Sequence, residues 1–184
     1  MAILIYAESE NGKYKKDSFE IASYAKLAAD KLNTSVTAIS INADNPNELG
    51  NYGVSKVLNV TSDNLKDFNA FLYADVIKQA CEKEDSNIVI ISSSSNTKYL
   101  GSILSVKINA GYITNVIDAP KEFNPITVKR NSFTNKAFEY AKVNSKNSLL
   151  AISKNSHGII EDKTTTQIEN FEVSIASSIL ASTS

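Results

Sequence analysis

Asn87-Ile88-Val89-Ile90-Ile91-Ser92-Ser93-Ser94-Ser95-Asn96-Thr97 decides the fold of this 184-residue chain. Four branched aliphatic residues in succession predict a strand covered on both faces, the texture of a central strand in a parallel sheet. The six polar residues after it end the strand, and Lys98 to Ile108 then reads as a helix. Parallel strands need crossover connections, so further strand and helix pairs are expected on either side.

Upstream they are present. Ala2 to Tyr6 reads as a strand, and Asp17 to Leu32 spaces Phe19, Ile21, Ala22, Ala25, Ala28 and Leu32 helically. Ser35 to Ile41 and Lys56 to Val60 read as strands, and Phe68 to Cys81 as a helix on Phe68, Phe71, Leu72, Val76, Ile77 and Ala80. After Pro120 the texture changes. Ile126 to Arg130, Ala137 to Val143, Ser148 to Ser153 and Thr166 to Ile175 look like strands with no helix between them. The fold class expected is α/β, a mostly parallel sheet with helices on both faces, extended by antiparallel strands in the second half. One domain over residues 1–175 accounts for these elements, and residues 176–184, rich in Ser, Thr and Ala, read as a tail or the start of a linker.

Composition narrows the function. The net charge is −1 and no stretch gathers Lys and Arg on one face, so the electrostatic footprint of a nucleic-acid binder is missing. Cys81 and His157 are each single, which excludes a disulfide framework and a metal site built from several His or Cys ligands. A reducing, cytoplasmic setting fits, and no apolar run approaches the ~20 residues of a membrane-spanning helix. The apolar run at the amino terminus is also shorter than a signal-peptide core of ~7–15 residues.

The search for chemistry yields weak candidates. The turn from Ser92 to Thr97 lies where open α/β sheets bind ligands, yet it has no glycine for close backbone approach, and helix capping explains it better than phosphate binding. Glu8-Ser9-Glu10-Asn11-Gly12 stands where a G-x-G-x-x-G loop would be needed, and its two acids read as solvated groups of a surface loop. His157 lies in a polar loop with no G-x-S-x-G elbow elsewhere, and Cys81 falls on the apolar stripe of its helix. No catalytic residue and no metal ligand is assigned.

Five stretches taken in order carry a resemblance: Ala2-Ile3-Leu4-Ile5-Tyr6-Ala7-Glu8-Ser9-Glu10-Asn11-Gly12-Lys13, then Asn51-Tyr52-Gly53-Val54-Ser55-Lys56-Val57-Leu58, then Lys98 through Val116, Val128 through Ala137, and Leu149 through Gly158. They resemble electron-transfer flavoprotein α subunits over residues 2 to 175. Gly53 matches a glycine that ends a short helix, and Lys98 stands at a usual arginine, with Tyr99, Ser105 and Asn115 departing from the pattern. Arg130 and Lys136 align with basic positions, and Asn135 replaces a glycine in a turn that Asn tolerates. The resemblance implies a Rossmann-like or adenine-nucleotide α-hydrolase-like fold. It also implies an amino-terminal scaffold that pairs with a β subunit, with FAD held mainly by a further domain beyond the linker.

On this reading the intact complex carries electrons from dehydrogenases, such as the acyl-CoA dehydrogenases of fatty-acid β-oxidation, to a quinone oxidoreductase of the respiratory chain. The amino-terminal domain by itself would bind no FAD. Ser94, Asn96, Lys98, Arg130 and Lys136 are the candidate interface or anion contacts. An apolar patch that the β subunit covers is expected to be exposed. Two other classes compete: a stand-alone adenine-nucleotide binder resembling universal stress proteins, whose glycine-rich loop this sequence lacks, and a nucleotide hydrolase, whose S-G-G-x-D-S loop is likewise missing.

Overall fold

A computed structural model describes residues 2–175. The expected tail at 176–184 lies outside the described residues. Strand β1 (Ile3–Ala7) leads through a two-stranded hairpin, β2 (Ser9–Glu10) and β3 (Lys13–Tyr14), into helix α1 (Lys16–Leu32). Next come β4 (Val36–Ile41), β5 (Lys56–Val60), α2 (Ala70–Glu84), β6 (Ile88–Ser92), α3 (Ser95–Lys107) and β7 (Ala110–Val116). The last part holds β8 (Glu122–Phe123), β9 (Ile126–Ser132), β10 (Ala137–Val143), β11 (Asn147–Ile152) and β12 (Gln167–Asn170).

One sheet runs β10-β9-β7-β11-β6-β1-β4-β5-β12, with β8 paired to β9. From β7 to β12 every neighbouring pair is parallel. The fold is therefore α/β with a mostly parallel, Rossmann-like sheet. Chain order reverses beside β1: β4 and β5 lie on one side of it, and the crossover through α2 brings β6 to the other.

Alternate residues of the central strands feed two apolar layers. Ile3, Ile5, Val36 and Ala38 pack with Ile21, Tyr24, Ala25 and Ala28 of α1. Leu4, Tyr6, Ile39 and Ile41 pack with Leu72, Val76, Ile77 and Ala80 of α2 and with Leu100 and Leu104 of α3. Burial on both faces is why β1 and β6 are continuous aliphatic runs. Cys81 belongs to the second layer as a small buried residue, and burial pushes its thiol up to about 12. Gly101 lies in α3 against Tyr112, whose hydroxyl fills the space a Cβ would need, so this glycine serves packing. Gly53 follows a 3-10 turn at Pro46–Asn51 with φ +85°, as its role at a helix end requires.

The second half departs from expectation in two places. β9 and β10 are antiparallel, as predicted, but β11 joins parallel between β7 and β6, and β12 joins parallel beside β5. The strand Ser148 to Ser153 thus belongs to the buried core. Its run Ser148-Leu149-Leu150-Ala151-Ile152 is buried throughout, the same texture that marks β6. The run Thr166 to Ile175 is a strand only at Gln167–Asn170. There Glu169 pairs with Lys56 at 2.9 Å and Lys83 at 2.6 Å, and beyond it Phe171, Val173 and Ile175 turn onto the layer of α2.

Candidate functional site

The turn after β6 is a capping structure. Ser94 is the N-cap of α3: the Thr97 backbone N–H donates to Ser94 Oγ at 3.2 Å, and the Ser94 N–H donates to Thr97 Oγ1 at 2.8 Å. Thr97 Oγ1 also donates to the Ser92 carbonyl. These bonds occupy the hydroxyls and backbone amides of Ser94 and Thr97, groups that a phosphate would use. Asn96 turns across the switch between β6 and β1, donating from Nδ2 to Glu8 Oε1 at 3.1 Å.

Glu8 corrects the reading of its loop. It is 2 % exposed, whereas the Glu10 side chain is 69 % exposed, so the two acids are not a solvated pair. The cause is the β2–β3 hairpin. Asn11 and Gly12 at its turn have φ +51° and +78°, the signature of a tight primed turn, and the hairpin folds back so that Lys15 Nζ reaches Glu8 Oε1 at 2.9 Å. The same carboxylate bond holds the Lys15 ammonium above its ordinary range. Glu8 Oε2 is buried with no hydrogen-bond partner.

Glu8 floors a cleft of about 810 Å³ beyond the carboxyl ends of β1, β4 and β5. One wall is apolar and aromatic: Tyr6 meets Tyr73 edge-on at 6.0 Å, and Phe68 meets Tyr73 at 5.0 Å. Burial raises both phenols above their ordinary value, that of Tyr73 to about 12, so both stay protonated. The lining also carries Glu10, Asp44, Asp63 and Asp67, answered by Lys15 and Lys66.

A second buried carboxylate holds the loop after β11. Glu20 of α1 accepts from the backbone N–H groups of Asn155 at 2.9 Å, His157 at 2.9 Å and Gly158 at 3.1 Å. The loop containing His157 is polar, as expected, and it is strapped to α1. Lys154 adds an ion pair to Asp17 at 2.8 Å. The His157 ring meets Tyr24 edge-on at 5.4 Å, and desolvation lowers its pKa.

The remaining predicted residues lie elsewhere. Lys98 and Tyr99 are exposed on the first turn of α3. Arg130 lies on β9 beside Glu139, with Nε 3.5 Å from its carboxylate, and Nη2 reaches Thr114 Oγ1 at 3.4 Å. Lys136 belongs to the turn between β9 and β10, where Phe133, Thr134 and Asn135 have φ of +49°, +54° and +62°. So Asn135 does adopt the left-handed conformation, and two neighbours share it. The structure brings Ser94 and Asn96 together, and Arg130 and Lys136 onto one hairpin, but it does not unite the two pairs.

That hairpin has two faces. Ala141, Val143, Ile126 and Val128 turn inward to the core. On the outward face Phe138 is 63 % exposed and Tyr140 60 %, with Lys129 Nζ over the Phe138 ring at 4.7 Å and Lys121 Nζ over Tyr140 at 5.3 Å. At the tip Phe133 is 79 % exposed, with Lys136 6.0 Å from its centroid. None of these three lysines has a carboxylate partner among the described residues. Sequence reasoning singles out Arg130 and Lys136 but misses Phe133, Phe138 and Tyr140, although the alternation of the last two along β10 is plain.

The cleft is poor in groups that could hold a phosphate. The pyrophosphate of a flavin dinucleotide would face five carboxylates against two lysines, and the start of α3 is already capped. No helix among the described residues is long and apolar enough to cross a membrane.

Comparison with known proteins agrees with this architecture. The electron transfer flavoprotein subunit alpha of Bacillus subtilis (strain 168) is 25% identical over 138 residues, covering 74% of this chain and 42% of that protein. Protein FixB of Clostridium saccharobutylicum is 23% identical over 135 residues, 71% of this chain and 40% of its own. The electron transfer flavoprotein subunit alpha of Megasphaera elsdenii is 30% identical over 112 residues, 59% of this chain and 33% of its own. The chain thus spans less than half the length of the curated relatives it matches. Residues 3–176 match the family described as "Electron transfer flavoprotein domain", and the chain belongs to that family, with α-type relatives.

Proposed function

We propose that this chain is the amino-terminal scaffold of an electron-transfer flavoprotein α subunit, and that it docks a β subunit through the outward face of the β9–β10 hairpin. The observation that carries the reading is that face. Phe133, Phe138 and Tyr140 are exposed on an edge hairpin whose other side belongs to the core. Exposed aromatic rings suit the core of a protein interface, and the lysines beside them suit its polar rim. Their lysines suit a partner surface that supplies carboxylates.

In this scheme the chain holds no flavin, and FAD belongs to the complete α/β complex. The complex passes electrons from dehydrogenases to a quinone oxidoreductase, in the cytoplasm, while this domain supplies rigidity and a fixed docking face. The packed parallel sheet supports that role, and so does the acid-rich cleft, which disfavours a nucleotide phosphate.

The test is titration of this chain with its cognate β subunit, following the complex by size exclusion and calorimetry. Phe138→Glu and Tyr140→Glu should each weaken binding by about 30-fold, the loss of one interface hot spot of about 2 kcal/mol. Circular dichroism should be unchanged. Unaltered affinity in both variants, or stoichiometric FAD with a shifted visible spectrum on the isolated chain, would sink the proposal.

A further inference from the structure

We infer that a β subunit docked on the hairpin as proposed above also covers the loop strapped over α1, where Ile159 and Ile160 form a second apolar anchor. The hairpin alone is small. Its three exposed rings, ~150–250 Å² each and about two-thirds exposed, offer roughly 400 Å². Each partner in a permanent complex covers ~1,000 Å² or more, so the footprint continues onto neighbouring surface.

The strap lies on the same side of the sheet as the hairpin. Ile126, Val128 and Val143 of the hairpin share one apolar layer with Ile21, Tyr24 and Ala25 of α1, so the solvent faces of both point the same way. A chain of contacts joins them. Lys121 stands over the Tyr140 ring, and three residues before it the Asp118 carbonyl accepts from the Tyr24 hydroxyl at 2.9 Å. Tyr24 in turn meets the His157 ring, and from there the chain crosses α1 with Ile159 37 % and Ile160 54 % exposed. Leu27, also 37 % exposed, lies one helical turn beyond Ser23, whose Oγ both donates to and accepts from the Ile160 backbone at 3.0 Å. These two bonds and the three that Glu20 accepts pin an exposed loop, so its isoleucines meet a partner already ordered, at little entropic cost. The exposed Tyr99 and Val106 of α3 belong to a helix packed in the other layer, with α2, and face away from the hairpin. The partner surface is then apolar opposite the strap and acidic opposite Lys121, Lys129 and Lys136.

The experiment titrates this chain with its cognate β subunit by calorimetry and maps the complex by hydrogen exchange. Ile160→Glu should weaken binding about tenfold, and Val106→Glu, on the far side of the sheet, should leave it unchanged. Ile160→Ala, which keeps both backbone bonds to Ser23, should weaken it about threefold. Unaltered exchange at Asn155 and Gly158 in the free variants shows the strap intact. Complex formation should slow exchange together at residues 133–140 and 159–161. If Phe138→Glu weakens binding while both Ile160 variants do not, the hairpin docking stands and its extension onto the strap falls. If none of them weakens it, both fall. A loss confined to the Ile160 variants, or a larger one in Val106→Glu, also overturns the shared footprint.

Discussion

The core strand β6 and the hairpin strand β10 are both rich in large apolar side chains and meet opposite fates. Every residue of Ile88–Ser92 is buried, because helices cover both faces of the sheet there, whereas Ala137–Tyr140 of β10 is exposed throughout. The sheet therefore changes character along its width. Where crossover helices bracket it, apolar side chains create stability. Where the connection is a hairpin, with no helix to lay over the outward face, the same kinds of side chain are left for another surface.

The contrast is most easily broken by truncation. Ile90→Ala, at a fully buried site, should cost about 2–5 kcal/mol by urea denaturation. Phe138→Ala should stay within about 0.5 kcal/mol, and a cost near that of Ile90→Ala would show the hairpin to be structural. Glu20→Gln sharpens the comparison from the core side. It weakens three bonds to the loop after β11 and should cost about 2–3 kcal/mol, with hydrogen exchange rising at Asn155, His157 and Gly158.

His157 adds a pH dependence to the same strap. Desolvation lowers its folded pKa below the unfolded value of about 6.5, so the unfolded chain binds the proton more readily. The strap's stability is full above about pH 6.5 and falls as pH drops through and below that value. His157→Phe should flatten the dependence in thermal melts between about pH 5 and 7. The smallest effect belongs to the hairpin tip. Thr134 has φ +54°, so Thr134→Gly should gain about 0.5 kcal/mol while leaving β-subunit affinity unchanged.

The strands and helices are readable because their side-chain periods follow from burial on a sheet or a helix face. β1, β4, β5, β6 and the three helices all lie within a few residues of where periodicity puts them. The order of strands is less readable. β11 returns to the middle of the sheet without a preceding helix, and nothing local to Leu149-Leu150-Ala151-Ile152 states which neighbours it will find. The burial of Glu8 is hidden for a similar reason. A glutamate in a polar run looks solvated until the chain folds back, yet Asn11-Gly12 between short polar segments is itself a hairpin signal and announces the fold-back.

The nine strands of the main path also make a ruler. From β10 to β12 there are eight inter-strand steps, which at ~4.8 Å each place the two edges roughly 38 Å apart. The proposed docking face occupies one edge, and residues 171–175 lie at the other, anchored through Gln79 to Ser174. A protein bound at the hairpin and anything engaged beyond β12 are kept apart by the width of the sheet, so the two attachments act without competing for space.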